Sequence, residues 1–136
     1  MRTAPARQLA ATAAVLAVLA GCGAPDVEPG LEAQRERGAE LYQRHCVECH
    51  GGATGGDISD IPPRHNAEGH TWHHGDCELI DITLEGMPQR PDYPQMPAFG
   101  HELDDDDVRA ILAHIRTWWE PDQREHQAEA TELLCD

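Results

Sequence analysis

The 136-residue chain carries 25 acidic side chains against ten cationic ones, a formal charge of −15, and only 4% of its residues are aromatic. The length favours one domain, and a field of that sign excludes nucleic acid and anionic lipid headgroups as partners of the protein surface, favouring a basic docking partner or a salty surrounding. With so few large apolar side chains the core is thin, and a small domain of this kind needs something besides its own side chains to fill it.

Arg2 and Arg7 precede an uncharged apolar run from Leu9 to Ala20, too short for a permanent membrane span and built like a secretory signal. The run closes on Leu19-Ala20-Gly21-Cys22, which resembles the lipobox of bacterial lipoproteins, where the signal is cut before the Cys and its thiol takes a diacylglycerol. The resemblance implies that residues 1–21 are a lipoprotein signal peptide and that Cys22 is the lipidated first residue of the mature chain. It also implies an anchor on the periplasmic side of a bacterial membrane, inner or outer left open. An ordinary signal peptide with a chance Cys is the plainer alternative. Without residues 1–21 the chain has eight cationic against 25 acidic side chains, a formal charge of −17. Two Pro and one Gly among acidic residues in Ala24–Gly30 read as a flexible tether, which places residues 22–31 outside the folded domain.

From Leu31 to His45 the positions of Leu31, Gly38, Leu41, Tyr42 and His45 make one apolar face at helical period, and a first helix is expected there. Gly51–His74, with five Gly, two adjacent Pro and four His, reads as a long loop. Asp76 is placed to cap a helix that runs to Glu85 and stops at Gly86. A Pro-rich loop, Met87–Gly100, follows. Asp104 then opens a helix with a wholly acidic first turn, suited to the positive end of the helix dipole, and Val108, Ile111, Leu112, Ile115 and Trp119 form its buried stripe. Pro121 interrupts it, and Gln123–Leu134 is expected to be a mostly polar helix on the surface or projecting from it. No strand pattern and no internal repeat is visible.

Cys46-Val47-Glu48-Cys49-His50 has the C-x-x-C-H spacing of covalent haem attachment. Two thiols about a turn apart reach the two vinyl groups of a porphyrin, and the adjacent imidazole turns under the iron. A structural zinc site would need a second Cys/His pair, and a thioredoxin-like redox pair would need a βαβ context; neither is present.

From about Glu32 to Glu120 the chain resembles the class I cytochrome c family. The resemblance rests on Gly38 and Tyr42 ahead of the C-x-x-C-H motif, Gly51 after it, Met96-Pro97-Ala98-Phe99, the run Leu103–Val108, and Ile115-Arg116-Thr117-Trp118. It implies a small all-α fold of helices and loops wrapped around one covalent haem c, with a cytochrome c domain over residues 32–120 and a C-terminal helical extension over 121–136. It also implies that the first and last helices of the domain cross where Gly38 permits close approach. His114 departs from the family, which usually has an aromatic, often Tyr, at that crossing.

Two Met-Pro pairs compete for the iron face opposite His50. Met96, shortly before the long acidic-headed helix as in the family, is the expected ligand, and Met87 a packing or surface residue. A thioether there raises the reduction potential and saturates the iron, which suits electron transfer. His50 is expected to donate its other ring nitrogen to a carbonyl, which in the family belongs to a Pro of the following loop; Pro62 and Pro63 are both candidates. Lipid and haem leave Cys77 and Cys135, an even remainder in an oxidising compartment, and a disulfide tying the extension to the middle helix is expected.

The function these features point to is a one-electron carrier, not an enzyme, delivering to a redox partner such as a respiratory oxidase or reductase, with membrane attachment through lipid and no nucleic acid. Two alternatives stand beside it: a haem-based sensor or catalyst with a labile sixth ligand, and a copper-handling lipoprotein using His65, His70, His73 and His74. For those His residues the plainer reading is a polar loop over the haem. The acidic run at Asp104–Asp107 reads as helix capping rather than a calcium site.

Overall fold

The computed structural model describes residues 29–55, 62–88 and 95–135. Within them lie five α-helices: α1 (Pro29–His45), α2 (Val47–His50), α3 (Asp76–Glu85), α4 (Asp105–Ile115) and α5 (Pro121–Leu134). Single 3₁₀ turns stand at Thr71–His73 and Arg116–Trp118. The fold is all-α; the nearest thing to a strand among the described residues is an isolated bridge between Gly52 and Gly55.

The core is the crossing of α1 with α4, the most extensive helix contact in the molecule. The stripe of α4 supplies Val108, Ala110, Ile111, Leu112 and Ile115, all buried, against Leu41 and Tyr42 of α1. Gly38 makes the crossing possible, because a Cβ there would stand 1.9 Å from the carbonyl oxygen of Ala110. At the head of α4, Asp104 accepts from the Asp107 amide at 2.9 Å while the Asp107 carboxylate accepts from the Asp104 amide, a reciprocal capping box. The same Asp107 carboxylate accepts from Arg37 Nε at 3.0 Å, so one buried acid caps α4 and ties it to α1. Burial pushes its carboxyl up, but the Arg37 and Asp104 hydrogen bonds outweigh that and hold it below the usual range.

Three expectations need correction. Pro29, Gly30 and Leu31 are helical, not tether, as suits a Pro in the first turn of a helix, where its missing N–H costs no hydrogen bond. Asp76 does not cap α3: Gly75 holds that position, and the Asp76 carboxylate turns away to Arg116 and Gln127. Pro121 opens α5 at its first turn, and Glu120 and Gln123 close a capping box around that start. α5 lies against the Thr71–His73 turn and α3. It is fixed by Gln127, 2% exposed, which accepts from Arg116 Nε at 3.0 Å and donates to the His74 carbonyl and to Asp76. Cys77 and Cys135 form a disulfide that fastens the end of α5 to the start of α3. No described helix is long and apolar enough to cross a membrane. Cys22 and the apolar run before it lie outside the described residues.

Candidate haem site

α1 runs almost directly into α2, so Cys46 sits at the junction of the two helices and Cys49 and His50 fall on the following turn. The amides of Cys49 and His50 both reach the Cys46 carbonyl, at 3.2 and 3.0 Å, a tight turn that sets the two cysteines about one helical turn apart. Neither thiol is paired with another; Cys46 is buried and Cys49 exposed. Burial, and then the neighbouring Cys49, pushes the Cys46 thiol up to about 11, which keeps it protonated. Tyr42 braces the turn, donating its hydroxyl to the Gly51 carbonyl at 2.7 Å.

His50 is 7% exposed, and its Nδ1 lies 2.7 Å from the carbonyl oxygen of Pro63. A carbonyl has no proton to give, so Nδ1–H is the donor and the lone pair of the neutral ring resides on Nε2. Burial lowers the His50 pKa, the Pro63 bond working against it, and the neutral ring is the form that binds a metal. Of the two Pro candidates it is Pro63 that makes this contact.

Met96 is partly buried, Met87 half exposed, and both line one open cleft at the end of α3. The Met87 amide donates to the Met96 carbonyl at 3.1 Å, and the Phe99 and Gly100 amides return to the carbonyls of Thr83 and Leu84. Phe99 also meets the ring of His45, the residue before Cys46, edge-on at 5.8 Å. The Met96 segment is thereby pinned between α3 and the start of the C-x-x-C-H turn.

The four loop histidines divide. His65 is partly buried and stacks on His50 with ring centroids 4.1 Å apart, while His70, His73 and His74 gather on the surface. The surface group is completed by His126 of α5, 5.3 Å from His73, a neighbour no reading of the loop alone could supply. Burial, and then His50, lowers the His65 pKa to about 3. Among the described residues no group of three or more His, Cys, Asp or Glu is arranged to hold a metal ion, so the copper-handling alternative finds no ligand set there. His114 occupies the crossing with its ring 5.9 Å from Tyr42 and 4.9 Å from Trp118, an imidazole filling an aromatic's place.

Sequence reasoning also missed Trp119 as a clamp: its Nε1 donates to the His65 carbonyl at 2.7 Å. A buried indole nitrogen needs a partner, and that was the available signal. Trp72 Nε1 is buried and has no partner among the described residues. Two unpaired thiols a turn apart and a neutral imidazole with its lone pair on Nε2 together fit a covalent haem.

Over residues 33–115, more than half of its length, the chain matches the family described as cytochrome c oxidase, cbb3-type, subunit III. No curated protein and no solved structure matches it. The chain belongs to that family: it is a class I c-type cytochrome, and its cofactor is covalently bound haem c.

Proposed function

We propose that this cytochrome is a one-electron carrier whose haem is joined to Cys46 and Cys49, with His50 and Met96 as the iron's axial ligands. Haem supplies a single-electron couple that no protein side chain here offers. The chain's own residues bind and orient it. The observation that carries the reading is the His50 geometry: Nδ1 engaged by Pro63 at 2.7 Å, the ring buried and neutral, and Nε2 left as the donor on the turn that holds both thiols. Such a hydrogen bond fixes the tautomer and strengthens the ligand. Met96 is favoured over Met87 by burial and by Phe99, which ties its segment to His45 beside the motif. A thioether in that place saturates the iron and suppresses reaction with oxygen.

Attachment at Cys22 would confine the carrier to the periplasmic side of a bacterial membrane, where it would pass electrons to a respiratory oxidase or reductase. The mature chain's formal charge of −17 suits a partner with a basic docking surface. The test is the absorption spectrum of the matured protein, oxidised and reduced, including the weak far-red band of a Met–ferric iron bond. The band should be present, should vanish in Met96→Ala and should survive in Met87→Ala. A haem-loaded wild type without the band overturns the Met96 assignment and favours a sensor or catalyst with a labile sixth ligand.

A further inference from the structure

We propose that His65 is a positioning residue for His50: its ring, stacked on the ligand's ring, fixes the plane of the imidazole that faces the iron. The inference rests on the reading of His50 as a haem ligand. The bond to Pro63 holds His50 at one atom. One hydrogen bond leaves the ring free to swing about its N···O line, because the terminal torsion of a histidine is broad and sets no sharp angle by itself. His65 blocks that swing, its ring centroid 4.1 Å away and its plane 28° from parallel.

A stop for another ring must itself be held, and His65 is held at three places. Its Nδ1 shares a 2.6 Å hydrogen bond with Thr71 Oγ1, and Thr71 is buried. Its carbonyl accepts from Trp119 Nε1 at 2.7 Å, and Trp119 is 3% exposed. Its ring also meets Tyr42 edge-on, 6.0 Å between centroids. A branched aliphatic side chain would fill the same space but offer no flat face. Flatness is what an imidazole adds here, since offset stacking is specific in angle where aliphatic packing is not.

The plane of an axial imidazole sets the direction in which its π electrons overlap the iron d orbitals. In the ferric protein the unpaired spin spreads over the porphyrin along that direction, and the haem-methyl proton resonances report it. The experiment is proton NMR of the oxidised, haem-loaded protein as wild type, His65→Leu and His65→Phe. His65→Leu should change the order or spread of the haem-methyl resonances, and His65→Phe, which keeps a flat ring, should preserve the wild-type order. An unchanged pattern in His65→Leu overturns the proposal, and so does an equal change in both variants, since the flat face would then not be what acts. If His65→Leu yields no folded holo protein, Thr71→Val decides. It leaves the volume but cuts the 2.6 Å bond, and should broaden or shift the same resonances, whereas a wild-type spectrum overturns the proposal. A wild type without hyperfine-shifted protons from an iron-bound histidine would instead remove the premise, and the proposal with it.

Discussion

Replacing Gly38 by alanine puts a methyl group into the tightest contact between α1 and α4. The added Cβ would stand 1.9 Å from Ala110 O and 2.4 Å from its carbonyl carbon, both backbone atoms of α4 that cannot rotate aside. Moving the oxygen out to 3.0 Å, still tighter than ordinary contact, requires the helices to part by 1.1 Å. A gap of about 0.5–1 Å forfeits a quarter to a half of a dispersion contact, and here it opens between Leu41 and Tyr42 on one side and the α4 stripe on the other. Overpacking a core costs about 1–3 kcal/mol, and a Cβ driven into the backbone of the facing helix belongs at the upper end. For a domain of this size ~3 kcal/mol lowers the melting temperature by ten degrees or more. Gly30→Ala in the same helix is the control: a Cβ there meets nothing within 4 Å, so the gain in helix propensity, up to about 1 kcal/mol, should appear as stabilisation. The assay is thermal and denaturant unfolding of both holo variants by circular dichroism. A Gly38→Ala protein within about 0.5 kcal/mol of wild type, or a Gly30→Ala protein that falls as far, would refute the reasoning.

Breaking the Cys77–Cys135 disulfide by Cys135→Ser frees a closure across a sequence separation of 58 residues; the chain-entropy model predicts a loss of about 4 kcal/mol, measured by denaturant unfolding. Trp119→Phe keeps the buried ring but leaves the His65 carbonyl without its donor, a cost of about 1–3 kcal/mol in the same assay. Gln127→Leu should destabilise comparably, because it leaves the His74 carbonyl without its donor and strips one hydrogen bond each from Asp76 and Arg116, which keep only each other. Burial lowers the His114 pKa from 6.5, so the unfolded chain binds the proton more tightly and stability should fall as pH drops below that value. Stability measured as a function of pH should therefore show a shallower acid slope in His114→Tyr than in wild type.

What the sequence made legible follows from which contacts are local. The boundaries of α3 and the start of α4 rest on a Gly stop, an acidic first turn and a 3.6-residue stripe, and each of these signals lies within a few positions of its effect. The C-x-x-C-H turn is legible for the same reason. Asp76 was misread because capping is the usual local use of an Asp at a helix start, whereas its partners Arg116 and Gln127 lie 40 and 51 residues away. His65 was misread through its neighbours: grouped with His70, His73 and His74 by composition, it is taken out of that group by contacts to His50 and Trp119, and only the second of these, 54 residues away, is remote.

Those remote contacts join the C-terminal extension to the site. Gln123 Nε2 donates to the Ala67 carbonyl at 2.9 Å and Gln127 to that of His74, so two side chains of the extension bind two carbonyls of one loop, beside Trp119, just ahead of the extension, on that of His65. Among its described residues that loop has little regular structure of its own, a single 3₁₀ turn, and its carbonyls would otherwise be left to water. The same loop includes Pro63, whose carbonyl holds His50. In a domain with so thin an apolar core, the position of His50, the proposed haem ligand, is thus fixed by hydrogen-bonding an irregular loop to a polar helix, with the disulfide closing the far end. The extension should therefore affect the haem environment although it contains none of the proposed haem-binding residues, and a chain ended at Glu120 should retain the C-x-x-C-H motif yet show an altered haem spectrum and lower stability.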